Sequence, residues 1–134
     1  MSRISLAFFI VAPIYGLVGM TWGSVMGALG DHSTLIGHAH LNLLGWVSMG
    51  IMGAFYGLAG DRAPAPFAWA NFGLSNLGVL SIVPAMVMLT TGHQNYVPLE
   101  IIGDLSSALG LLTFFVAVLI TARRVAKTAA PEPV

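Results

Sequence analysis

The sequence predicts an all-α fold, a bundle of four transmembrane helices with both termini on the cytoplasmic side. Three observations predict it. Of the 134 residues, 57% are hydrophobic and 7% are charged, whereas a soluble domain carries about 25% charged residues. The mean hydropathy is +0.87. Uncharged runs follow Arg3 as far as Asp31, His40 as far as Gly60, Ala63 as far as Gly92, and Leu105 as far as Ala122. Each is about as long as the roughly 20 residues that cross the hydrocarbon. Finally, helices at about 3–28, 35–59, 66–91 and 97–122 put Arg3, Arg62, Arg123, Arg124 and Lys127 on one side, which the positive-inside rule makes cytoplasmic. With no charge cluster or long polar linker, residues 1–134 read as a single integral membrane domain.

The elements follow in order. The first helix lacks a short apolar region ending in an A-x-A-like cleavage site, so it reads as retained rather than as a removed signal peptide. Its Gly19, Gly23 and Gly27 repeat every four residues, as Gly53 and Gly57 do in the second helix, a spacing that lets helices approach closely in lipid or admits a flat macrocycle edge. The "GDHST" turn uses Asp31 and Ser33 as turn and capping residues, and His32 fits the same role. Pro84 removes a backbone hydrogen bond in the third helix and is expected to kink it. Trp22, Trp46 and Trp69 suit interfacial or packing positions equally. The last residues, about 125–134, including "KTAAPEPV", read as a disordered tail.

What remains polar collects at the other end. Asp31, His32, His38, His40, His93, Glu100 and Asp104 come from distant parts of the chain, yet all fall at the face opposite the basic residues. His38 and His40 lie about one turn inside the second helix. At about 100° per residue they point about 200° apart, so one helix cannot aim both at one ion. Below His38 follow Asn42, Gly45, Met49, Met52 and Tyr56; below His40 follow Leu44, Val47, Ile51, Ala54 and Leu58. If His38 looks into its own bundle, His40 looks out of it, toward a flat ligand or a neighbouring subunit. The plainer alternative is that both are interfacial histidines bonded to carbonyls or headgroups.

"HAHLNLLGW" followed by "GIMGAFY" resembles the second helix of heme-copper oxidase subunit I, the superfamily of cytochrome c oxidase and nitric oxide reductase catalytic subunits. There an H-x-N pattern marks an axial ligand of the low-spin heme, and His40 with Asn42 matches it. The resemblance is good over residues 34–58 and topological elsewhere. It implies that the chain is similar to one four-helix arc of that subunit, in the inner (cytoplasmic) membrane of a bacterium. It further implies a homotrimer that restores twelve helices, a dimer being the second choice. Heme b would sit near the periplasmic face with His40 and His38 as cofactor-binding residues, and His93 would stand where that family places metal ligands in a third helix. There is no adjacent His-His pair and no tyrosine beside a histidine, so reduction of oxygen or nitric oxide by this chain alone is not expected.

Glu100 and Asp104 share a face of the fourth helix with Ser107. With His38 and His93 they form a candidate set for copper or zinc. Glu100 equally suits its position as a first-turn acid beside the helix dipole. The absence of cysteine excludes disulfides, thiolate metal sites and iron–sulfur clusters. A net charge of zero argues against nucleic acid. The leading expectation is therefore a membrane heme- or metal-binding protein for electron transport, its electron donor unidentified. The alternative is a non-catalytic zinc- or copper-binding membrane protein. A small transporter or channel is a third reading, disfavoured by the lack of an ionisable group near the bilayer centre.

Overall fold

A computed structural model describes residues 1–129, and the described residues contain helices and turns with no strand. α1 spans Arg3–Leu29, α3 spans Ala65–Thr90 and α4 spans Val97–Ala129. α2 is a continuous rod in three segments, α-helical Leu35–His40, π-helical Leu41–Ser48 and α-helical Met49–Ala59. All four are long and apolar enough to cross a membrane, so the chain is a multi-pass membrane protein. The expected positions agree closely for the first three. The fourth helix runs seven residues past its expected end at 122, so Arg123, Arg124 and Lys127 stand on helix. Alanine, arginine and lysine are strong helix formers, and they propagate a helix that is already nucleated in lipid. The expected disordered tail is thus corrected for residues 125–129, and 130–134 lie outside the described residues.

The helices end for local reasons. Ser2 caps α1, its hydroxyl accepting the Ser5 amide at 3.3 Å. Gly30, at φ 65°, closes α1 in the left-handed conformation that suits glycine. In the turn that follows, the Ser33 amide donates to Asp31 at 2.9 Å, and this bond holds the Asp31 carboxyl below its ordinary range.

α1 packs along α2 and α3 packs along α4, with α3 also touching α1 and α2. Glycines set the first contact. A methyl group built on Gly16, Gly19 or Gly23 would meet Trp46, Asn42 or His38 respectively, each at under 3.0 Å. One row of α2 side chains therefore rests in the notches of one row of α1 glycines. Gly53 and Gly57 receive Phe8 and Ser5 in the same way, and the Ser5 hydroxyl donates to the Gly53 carbonyl at 2.9 Å. The close-packing reading of these glycines holds except at Gly27, which has open space around it.

Toward the end that holds both helix α1's start and α4's finish, Phe8, Met49, Met52, Tyr56, Ala68 and Ala117 form the core. A polar hub sits against it. Asn71 is fully buried and accepts from the Tyr56 hydroxyl at 3.2 Å, while its amide donates to the Gly110 carbonyl at 2.8 Å and to Ser75 at 3.2 Å. In hydrocarbon such groups have no water to fall back on, so the hub ties α2, α3 and α4 together. Asn71→Leu is expected to destabilise the bundle by about 2 kcal/mol, because it orphans the buried Tyr56 hydroxyl and removes the bond to the Gly110 carbonyl, which keeps only the Thr113 hydroxyl as a side-chain donor. Unfolding of the purified protein in mixed micelles measures it, and Tyr56→Phe, which removes one bond, is expected to cost less than half as much.

Candidate functional site

The antiparallel course of the helices carries His32, His38, His40 and His93 to one end, opposite Arg3, Arg62, Arg123, Arg124 and Lys127. Burial then separates the two faces of α2. On the His38 side Gly45, Met49, Met52 and Tyr56 are buried and Asn42 is half-buried; on the His40 side Val47, Ile51, Ala54 and Leu58 are exposed, Leu58 at 87%. His38 lies against Gly23 of α1 and His40 lies on the other flank, above these exposed residues, with both imidazoles half-buried.

The two imidazoles are held in opposite ways. The His40 Nδ1 lies 2.8 Å from the Ile36 carbonyl. A carbonyl only accepts, so Nδ1 carries the proton and Nε2 keeps its lone pair. His38 is the reverse. Asn42 Nδ2 donates to the His38 carbonyl at 2.9 Å, which fixes the orientation of the amide, and its second hydrogen reaches His38 Nδ1 at 3.3 Å. His38 Nδ1 is then an acceptor and Nε2 bears the proton. That Nε2 edge lies against Gly23 of α1, and the ring meets Trp22 edge-on at 6.0 Å between centroids. Trp22 is itself fixed, its indole donating to Thr34 at 3.2 Å. Of the pair, His40 alone offers an unprotonated Nε2 on an outward face.

The π-helical stretch Leu41–Ser48 begins immediately after His40. Asn42 occupies the His38 carbonyl with its side chain, and the Ser48 hydroxyl takes the Leu43 carbonyl at 2.7 Å. Side chains that bond into the backbone ladder widen a helix in this way, and such turns recur at functional sites. The buried row through this turn is Gly37, Leu41, Gly45 and Met49, with the half-buried His38 and His40 on its two flanks.

The candidate copper or zinc set does not assemble within one chain. Among the described residues no three His, Asp or Glu side chains stand together in a group that could hold a metal ion. His38 is turned toward α1, whereas Glu100 and Asp104 lie on α4, which packs along α3. His93 is exposed and bonds the Thr91 hydroxyl at 3.2 Å; Asp104 is exposed and Glu100 half-buried. His32 is exposed in the α1–α2 turn. Shared membrane depth brought these residues to one end, but not to one point.

A further feature escapes the sequence. A cleft of about 210 Å³ opens between α2 and α4 against α3, lined by Leu44, Ser48, Met52, Ser75, Ser107 and Leu111 among others. Leu44 follows His40 by four residues on the outward flank, so the cleft begins roughly one turn below that imidazole. Only the spacing of small residues Ser75, Ser107 and Ala108 hints at it in the chain.

Comparison with known proteins finds no matching family model, curated protein or solved structure.

Proposed function

We propose that this protein is an integral membrane heme-binding protein in which His40 would hold a b-type heme through Nε2, serving electron transfer rather than bond-making chemistry. The anchored Nδ1–H of His40 carries this reading. An imidazole whose other nitrogen donates to a backbone carbonyl has a fixed tautomer, a fixed ring and a more basic ligating nitrogen. The outward apolar flank of α2 suits a macrocycle edge, and the absence of cysteine excludes thioether attachment. When bound, heme supplies reversible one-electron chemistry, tuned by burial and by hydrogen bonds around its ligands. This chain's own residues would orient the imidazole through Ile36, exclude water with Leu44 and Val47, and keep His38 out of competition through Asn42. His40 heads the flank of α2 that is exposed below it, so a second copy packed on that flank would complete the site, and a homotrimer is the assembly that the resemblance favours.

A second reading rests on Asp104. A carboxylate two turns into α4, exposed among Ile101, Ile102 and Leu105, is costly against lipid. Zinc or copper held between copies by Asp104, Glu100 and His93 would answer that cost. The spectrum and elemental composition of the purified protein decide between the two. A Soret band that shifts on dithionite supports heme; a colourless protein with stoichiometric zinc or copper, lost first in His93→Ala, supports the second.

A further inference from the structure

At the opposite end of the bundle, a cleft of about 240 Å³ opens where α1 begins, between the α2–α3 turn and the first turn of α3. Its walls include Arg3, Gly60, Asp61, Ala65 and Trp69, and the function proposed above uses none of them. Arg3 and Asp61, the charges that bound the uncharged runs of α1 and α2, meet there, so the cleft lies at the depth where hydrocarbon gives way to headgroups. Trp69, 48% exposed, is an interfacial aromatic at that level.

The charges in the cleft define what it accepts. Arg3 and Asp61 are both exposed, and neither pairs with the other or with any other described residue within 4.0 Å. Ser2 is not free to contribute, since its hydroxyl accepts from Ser5 and donates to the Tyr56 carbonyl at 3.3 Å. A purely anionic group would meet the Asp61 carboxylate, and a purely cationic one would meet the Arg3 guanidinium. A group with both charges on one short stem satisfies both walls. Below the charges lie Ile4 and Ala68, both buried, an apolar floor at the level where acyl chains start.

We propose that this cleft is a binding site for a zwitterionic phospholipid bearing a primary ammonium, with the phosphate on Arg3 and the ammonium on Asp61. Guanidinium matches phosphate through paired N–H donors. A primary ammonium brings three N–H donors to a carboxylate, whereas a trimethylated one brings none. The site therefore distinguishes phosphatidylethanolamine from phosphatidylcholine, and Asp61 disfavours phosphatidylglycerol.

The test is lipid binding to the purified full-length protein in micelles, read by native mass spectrometry with the three lipids at equal acyl composition. The expected result is phosphatidylethanolamine bound about tenfold more tightly than phosphatidylcholine, the difference that one charge-assisted hydrogen-bonded contact makes. Asp61→Asn is expected to bring the two near parity without weakening phosphatidylcholine, Asp61→Glu to keep the preference, and Arg3→Gln to weaken both lipids about tenfold. Both residues are exposed, and helical circular dichroism of each variant confirms the fold. Equal binding by the wild type, stronger binding of phosphatidylglycerol, or a preference that survives Asp61→Asn overturns the proposal. None of these outcomes depends on whether heme binds at His40.

Discussion

If the proposed heme site is right, His40→Ala is expected to abolish heme binding, with at least a hundredfold loss of affinity, while His38→Ala is expected to leave it within a few fold. The contrast follows from the two tautomers rather than from position, since both histidines lie at the same end of α2. His40 spends its Nδ1 proton on Ile36 and keeps a lone pair at Nε2. His38 accepts at Nδ1 from Asn42 and turns its protonated edge into the Gly23 notch. Even the groups that hydrogen-bond to such ligands are worth about 10–100-fold, and loss of the ligand itself exceeds that. His38→Ala instead opens a hollow between Trp22 and Gly23, so its effect falls on stability, by about 1–2 kcal/mol. Hemin titration of each variant, paired with thermal unfolding, separates a lost ligand from a loosened helix pair. Equal loss of affinity in both variants would refute the tautomer argument.

Gly103→Ala is expected to destabilise the protein by about 2–3 kcal/mol, the largest effect of any single added methyl group. At this point α3 and α4 touch backbone to backbone. The new carbon would lie 2.6 Å from the Ile82 amide nitrogen and 2.8 Å from its Cα. No rotamer change relieves a clash with main chain, so the two helices must separate. A flexible neighbour gives more easily, and Gly23→Ala, which meets the His38 ring, should cost less. Gly73 has open space around it; there alanine should stabilise by about 0.5–1 kcal/mol, through helix propensity alone. Denaturant unfolding in mixed micelles ranks the three. Equal effects at Gly103 and Gly73 would show that the observed helix approach is not the packed one.

The bundle was legible because lipid imposes a length and the chain has few charges to confuse it. The inward and outward flanks of α2 were legible for a related reason: with few polar residues, Asn42 and the glycines mark one side against Val47, Ile51 and Leu58. The π-helical stretch was not, because a helical wheel assumes an unbroken ladder and cannot see Asn42 bonding the His38 carbonyl. The end of α4 was misplaced by equating the membrane's edge with the helix's end. Depth along a helix can be read from sequence position, but azimuth between helices depends on packing. That is why His38, His93, Glu100 and Asp104 reach one end without meeting. Asn71 carries the main interhelical polar contact and was missed. Its signal, a polar residue four before Ser75 in a span whose other polar members include Asn76 and Ser81, was present, but its partners Tyr56 and Gly110 are remote in sequence.

The most direct test of the account is a hemin titration of the purified wild-type apoprotein in detergent micelles. The account requires a saturable red-shifted Soret band that shifts on dithionite while sharp α and β bands appear, the signature of imidazole-ligated heme. A spectrum indistinguishable from hemin in empty micelles at every ratio would contradict it.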